Sequence, residues 1–260
     1  DSVELNPANG DLVRKRYKKY SGDLAHKPGV AIHQGDGRSY LARSDDNYDL
    51  VWFVAPDSYA ANNAASSGAF VLSESYLYTT QMIKESLEHL SDRGVMVVQF
   101  GELNFTDAPN RTARYVMTAR RAFKELGIKD PGAHMIVSPY ITHKTGDLAT
   151  IMFKLTAFTP EEVTRYQQAI GKVPLSSTSW APGLPKGPGI VPRLIAASDG
   201  DAAKVAATYP RQVSAISDDG PFCWHFPSFS RVLRHLPDPL PPLHPTTVPA
   251  IRVLRLFTRP

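Results

Sequence analysis

Two short runs, 49–54 (Asp-Leu-Val-Trp-Phe-Val) and 95–100 (Val-Met-Val-Val-Gln-Phe), are apolar at nearly every position. A strand with one wet face alternates polar and apolar side chains. A run without alternation predicts a strand covered on both faces, and such strands belong to parallel sheets. Between the two, residues 79–90 place Met82, Ile83, Ser86, Leu87 and Leu90 on one stripe, the spacing of an amphipathic helix. Strand, helix, strand in that order predicts a right-handed βαβ unit.

The pattern extends in both directions. Residues 2–5 read as a strand, broken by Asn6-Pro7 ahead of a helix over 8–20. A strand over 30–33 is closed by Gly35-Asp36-Gly37 and followed by a short helix over 38–43. Asp92-Arg93-Gly94 reads as a turn into the second apolar run. Downstream, 109–126 is predicted helical, with Pro109 near its start and Gly127 beyond its end. Residues 134–140 and 148–158 predict an antiparallel pair of strands. Thr159-Pro160-Glu161-Glu162 carries a capping box for a helix to Ile170. A Pro-, Gly- and Ser-rich loop over 171–192, a short helix over 201–209 and an extended tail with six prolines between Pro237 and Pro249 complete the chain. The expected fold class is α/β, a Rossmann-like domain with a mostly parallel sheet and an antiparallel C-terminal hairpin. The expected division is a Rossmann-like domain over 1–158, a helical and loop extension packed on it over 159–236, and a Pro-rich tail over 237–260.

Composition narrows the function classes. The single cysteine, Cys223, excludes an internal disulfide framework and a Cys-rich zinc site. No apolar run approaches the roughly 20 residues of a membrane-spanning helix. The 29 Lys+Arg against 25 Asp+Glu give a net charge of +4. The densest basic stretch, Arg14 to Lys19, reads as a solvated helix face rather than a nucleic-acid site. His134, His143 and His225 lack metal-ligand spacing, and Ser66-Ser67-Gly68 lacks the strand-to-helix setting of a nucleophile elbow. No metal is expected. Cys223 sits among large apolar residues and reads as an inert core thiol.

In sheets of this class ligands bind beyond the carboxyl ends of the strands. Three acids stand at such ends: Glu4, Asp36 between two glycines, and Asp57. A carboxylate at the first can accept from both hydroxyls of a ribose. One at the second can accept from an adenine amino group. Each is equally a common turn or cap residue, and both readings stand at this point.

Val3-Glu4-Leu5-Asn6-Pro7, Gly35-Asp36-Gly37-Arg38 with Tyr40-Leu41, Tyr48-Asp49-Leu50-Val51, Leu77-Tyr78-Thr79 and Gly94–Gln99 follow one another in order. Over about residues 2–101 this series resembles the spermidine synthase family of the class I S-adenosylmethionine-dependent methyltransferase fold. Ser217-Asp218-Asp219-Gly220-Pro221 is a weaker echo near the C-terminus. The resemblance implies that Glu4 binds the donor ribose and that Asp36, with Gly37 beside it, holds the adenine. The donor would be S-adenosylmethionine or its decarboxylated form, used as co-substrate, and the acceptor a small amine or similar molecule. It also implies a first acid after the third strand that takes the proton of the attacking amine, since a protonated amine is no nucleophile.

The chain departs from that pattern. Val54 stands at the position of the base, and Asp57 matches only the second acid of the pair, so Asp57 is the candidate catalytic residue. Glu74 is another carboxylate that could supply the base, and Ile83 replaces an aromatic acceptor contact. The glycine-rich turn expected ahead of Glu4 has no counterpart after Asp1. The expectation is therefore a fragment or truncated product lacking the first central strand. The function expected is aminopropyl or methyl transfer, and the alternative is a catalytically degenerate nucleoside-binding or interaction domain. A nicotinamide dinucleotide enzyme also carries an acid after its second strand, but the ordered match through Gln99 favours the sulfonium donor. No nucleic-acid partner is expected, a homodimer is compatible, and the expected location is cytoplasmic, with room for membrane segments outside this chain.

Overall fold

The computed structural model describes residues 1–54, 76–142 and 146–226. The chain divides into two compact units, Asp1–Tyr48 and Asp49–Pro260. Residues 55–75, with Asp57 and Glu74, lie outside the described residues, as do His143 and the Pro-rich tail.

In the first unit, β1 (Ser2–Glu4) and β2 (Ile32–Gln34) pair in parallel, with Glu4 opposite Gln34. Asn6 caps α1 (Pro7–Asp11), its side chain accepting from the Ala8 N–H at 3.0 Å, and Pro7 occupies the first turn, where its missing N–H costs nothing. The helix predicted over 8–20 stops early. It widens into a π turn at Leu12–Arg16 and then dissolves into turns. The reason is in the sequence: Arg14 and Lys18, and Lys15 and Lys19, would be like-charge neighbours at i,i+4 in a continuing α-helix. Arg14 instead donates from Nη2 to the Ile32 carbonyl at 2.6 Å, tying the turn to β2. A Cβ at the buried Gly10 would lie 2.9 Å from that guanidinium, so the glycine makes room for it. The short α2 (Gly37–Leu41) follows β2 directly.

The second unit holds a four-stranded sheet of β3 (Tyr48–Val54), β4 (Leu90–Glu102), β5 (Met135–Tyr140) and β6 (Asp147–Phe153), in the spatial order β3-β4-β6-β5. The expected hairpin is present and antiparallel, but its second strand does not form the edge. β6 inserts between β4 and β5 and runs antiparallel to both, with Val98 opposite Ile151 and Val137 opposite the same residue. Asp92-Arg93-Gly94 is no turn; β4 runs straight through it for 13 residues. Bridges Val137↔Trp180 and Tyr140↔Ser176 lay part of the predicted 171–192 loop along β5, shielding it from open-edge pairing.

One face of this sheet makes the core. Met96, Val98 and Phe100 of β4, Ile151 and Phe153 of β6 and Met135 and Val137 of β5 pack against α3 (Thr80–Glu88), α4 (Asn110–Glu125) and α6 (Ile190–Ala196). Tyr78, Phe100, Tyr115 and Trp224 stack edge to face, Tyr78–Trp224 at 5.1 Å and Phe100–Tyr115 at 5.7 Å. α5 (Pro160–Ile170) begins with the predicted capping box, Thr159 and Glu162 bonding each other's backbone N–H. The last helix, α7, is Asp199–Thr208.

Two departures from the sequence expectations have clear physical causes. The strand over 49–54 is not covered on both faces: Val51 and Phe53 pack on the core while Trp52 is 55% exposed. Its apolar residues report β-propensity as much as burial. Conversely, α4 buries Arg114 and Arg120, residues that a hydropathy reading puts in solvent. Arg114 donates to the carbonyls of Gln212, Phe222 and Cys223, and Arg120 to those of Ile195 and Ala197 and to Asp199 Oδ1. The two guanidiniums thus satisfy backbone acceptors at the C-terminal end of α6 and in irregular segments beyond it. Burial lowers the Arg114 pKa to about 10. No helix among the described residues is long and apolar enough to cross a membrane.

Candidate functional site

Parallel pairing brings the carboxyl ends of β1 and β2 together. The Gly35 N–H donates to the Glu4 carbonyl at 3.1 Å, and Glu4 stands opposite Gln34, two residues before Asp36. Glu4 and Asp36 are therefore on adjacent strand tips. Each carboxylate is also used locally. Glu4 Oε1 accepts from the Asn6 N–H at 2.8 Å, and Asp36 Oδ1 accepts from the Ser39 N–H at 2.8 Å as the N-cap of α2. These caps fix where the carboxyl groups stand, each through one oxygen. Gly37 is the first residue of α2, and Gly35 ahead of Asp36 is nearly extended at φ 157°. On the same unit His33 contacts Asp1 at 2.8 Å and packs on the Tyr40 ring at 4.8 Å.

In the second unit Val54 ends β3 and is 53% exposed. Asp57, three residues on, lies outside the described residues, so its candidacy rests on sequence.

The structure joins two segments that the sequence showed only as separate echoes. Thr79 caps α3, accepting from the Met82 N–H at 3.3 Å, and its hydroxyl donates to Asp218 Oδ1 at 2.7 Å across 139 positions of chain. The Asp218 N–H donates back to Gln81 Oε1 at 3.1 Å, and the Thr80 N–H and hydroxyl both donate to the Ile216 carbonyl, at 3.0 and 2.8 Å. Leu77-Tyr78-Thr79 and Ser217–Pro221 thus form one constellation at the N-terminus of α3. The half-buried Asp218 carboxylate faces the end of the helix dipole that favours a negative charge. Pro221, Cys223 and Trp224 are buried behind it, so the 218–224 segment is a turn anchored by an aromatic core, and Asp219 is exposed.

A further acid was missed by sequence reading. Glu102 is buried at the end of β4, with Oε2 accepting from the Arg111 N–H at 3.0 Å, the Thr112 N–H at 2.9 Å and the Thr112 hydroxyl at 3.1 Å. Pro109 at the cap position of α4 has no side-chain acceptor, and Glu102 supplies it from the neighbouring strand. Burial pushes its pKa up, against the downward pull of Thr112 and Arg111. Asp147, opposite Glu102 in the β4–β6 register, is also buried and accepts from the Phe105 and Thr142 N–H groups. Both acids organise backbone. His134 bonds the Lys154 carbonyl and packs on Phe123, and burial together with Arg114 lowers the His225 pKa. Among the described residues no group of His, Cys, Asp and Glu is arranged to hold a metal ion.

Fold and residues together define a mixed α/β chain with acids at adjacent parallel strand tips. No family's sequence profile and no curated protein matches it. Among solved structures it is similar to a probable spermidine synthase from Corynebacterium glutamicum ATCC 13032, at 14% identity and a TM-score of 0.49, covering 83% of this chain and 62% of that one. It is also similar to the spermidine synthase from Thermotoga maritima, at 12% identity and a TM-score of 0.41, covering 80% and 59%. A spermidine synthase in complex with the transition-state analogue AdoDATO gives 13%, 0.41, 80% and 59%. The chain spans about three-fifths of the length of these structures.

Proposed function

We propose that the chain is a spermidine synthase-like transferase domain. It would take S-adenosylmethionine or its decarboxylated form as donor and pass an aminopropyl or methyl group to a small amine-type acceptor. The observation that carries this reading is the adjacency of Glu4 and Asp36 on parallel strand tips. One carboxylate suits the two hydroxyls of a ribose and the other an exocyclic amine. The local caps hold both groups in place before a ligand arrives, which lowers the ordering cost of binding. In the second unit, Asp57 is the acid to which this reading assigns the acceptor amine.

Isothermal calorimetry of the full chain with each sulfonium donor tests the reading. Glu4→Gln and Asp36→Asn keep the oxygen that caps the neighbouring N–H but remove the charge. Each is expected to weaken donor binding by roughly tenfold or more, the worth of a charge-assisted hydrogen bond. No heat with either donor at millimolar concentration refutes the proposal.

A second reading is favoured by Val54, which offers no proton acceptor at the end of β3. In it the domain binds the nucleoside without consuming it. A donor that binds but yields no product with any amine supports this reading; product formation that disappears in Asp57→Asn supports the first.

A further inference from the structure

We propose that the run Arg14–Tyr20 and the turn that follows it form a docking surface for an anionic phospholipid bilayer. The charge of the first unit is segregated. Residues 12–27 hold six cations (Arg14, Lys15, Arg16, Lys18, Lys19 and Lys27) against one acid, Asp23. The remainder of that unit holds Asp1, Glu4, Asp11, Asp36, Asp45 and Asp46 against Arg38 and Arg43. One segment thus carries +5 and the rest of its unit −4, while the whole chain carries +4.

The backbone gathers four of these cations, Lys15, Arg16, Lys18 and Lys19. Gly22 and Asp23 take consecutive left-handed conformations, at φ 63° and 58°. The Asp23 N–H closes on the Lys18 carbonyl at 2.7 Å and folds the turn back. Lys15, Arg16, Lys18, Lys19, Gly22 and Asp23 then line one open hollow of about 450 Å³. The local ion pairs do not neutralise it. Lys15–Asp11 at 3.2 Å and Lys18–Asp23 at 3.4 Å join side chains that are 44–73% solvent-exposed, and such pairs exchange readily for other anions.

Aromatic and aliphatic side chains stand among the cations. Tyr20 is 91% exposed, Tyr17 48% and Leu24 44%, and the two tyrosine rings meet edge to face at 6.3 Å. A tyrosine left almost wholly in water satisfies only its hydroxyl. At a bilayer interface the ring enters the headgroup layer while the hydroxyl stays wet. Basic residues beside interfacial aromatic and leucine side chains are the composition of a surface that lies on anionic lipid. A nucleic-acid strand fits less well, because Leu24 has no part in base stacking.

Co-sedimentation of the full chain with phosphatidylcholine vesicles, with and without about one-third phosphatidylserine, tests this. Binding is expected only to the anionic vesicles, and is expected to be lost at about 0.5 M salt. Each of Lys15→Gln, Lys18→Gln and Lys19→Gln should weaken it about fivefold, and the triple variant about a hundredfold, with unchanged circular dichroism. Tyr20→Ser should weaken it without changing its salt dependence. Lys129→Gln, an exposed charge in the other unit, should leave it unaltered. The proposal is overturned by equal binding to neutral vesicles, by no binding to anionic ones, or by an equal loss with Lys129→Gln. Tight capture of a single-stranded oligonucleotide by a chain inert to vesicles overturns it in favour of nucleic acid.

Discussion

Glu102 offers a direct measure of how the second unit is held together. Its carboxylate is the N-terminal cap of α4, delivered from β4 because Pro109 has no side-chain acceptor to give. Glu102→Ala removes a cap worth about 1 kcal/mol. It also leaves the Thr112 N–H, in a buried residue, without its acceptor, which costs about 1–3 kcal/mol more. The expected loss is about 3 kcal/mol. Glu102→Gln keeps an acceptor oxygen and gives up a charge that burial disfavours, so the expected change at neutral pH is under about 1 kcal/mol. The two variants also differ in pH dependence. Burial raises the folded-state pKa of Glu102 above its unfolded value. The stability tied to its protonation is therefore fully present below about pH 4.3, the ordinary carboxyl value, and is lost as pH rises through the folded pKa. Relative to Glu102→Gln, the wild-type chain should lose stability as pH climbs from 4 towards neutrality and then level off. Urea unfolding followed by circular dichroism at a series of pH values measures both quantities. If Glu102→Gln proves as damaging as Glu102→Ala, or if the wild-type-minus-Gln difference is flat with pH, the capping account is wrong.

Thr79→Val should cost about 1–2 kcal/mol through the lost α3 cap and the lost bond to Asp218, while Thr79→Ser should be near neutral; a Thr79/Asp218 double-mutant cycle with no coupling energy would show that the bond carries nothing. Lys154 is buried against Glu162 at 2.6 Å, and Lys154→Met should destabilise by about 3 kcal/mol in chemical denaturation, because it strands the partner carboxylate. Burial raises the Glu162 pKa, but Lys154 and the Thr159 N–H pull it below the ordinary value, so this pair's contribution is present above about pH 4.3 and fades as pH falls through the lowered folded value; an acid titration of Lys154→Met should lack that decline. Gly187→Ala places a Cβ 2.7 Å from the Ser179 carbonyl oxygen, a backbone atom that cannot swing away, and should lower thermal stability by an amount equivalent to about 1–3 kcal/mol; an unchanged midpoint would show that the 179–187 loop adjusts freely.

The elements that sequence reading located share one property: their signals are local. The capping box at Thr159–Glu162 and the stripe of Met82, Ile83 and Leu87 both follow from spacing along a short stretch. What stayed hidden depends on partners far along the chain. Nothing near residue 148 says that β6 will enter between β4 and β5 rather than close the edge. Nothing near Arg114 says that a cation in a helix will be spent on the carbonyls of residues 212, 222 and 223. The 49–54 run misled because Val, Trp and Phe are rich in β-propensity whether or not both faces are covered.

The same distinction separates Glu4 and Asp36 from Thr79 and Asp218. Glu4 and Asp36 are legible because each stands two residues from its strand's last pairing or closer, and parallel register alone makes them neighbours. Thr79 and Asp218 are 139 positions apart, and their bond depends on the burial of Trp224 and Cys223 beside Tyr78 together with the Thr80–Ile216 and Asp218–Gln81 bonds, which bring the turn to the start of α3. The placement of Asp218 is therefore a consequence of core packing. A change that loosens the Trp224 anchor, such as Trp224→Leu, should release Asp218 from Thr79 and cost about 3 kcal/mol or more of stability, whereas Asp36→Asn should leave stability nearly unchanged because its capping oxygen remains. Equal stability losses in the two variants, read by urea unfolding, would mean that local capping and long-range packing are not separable in this chain.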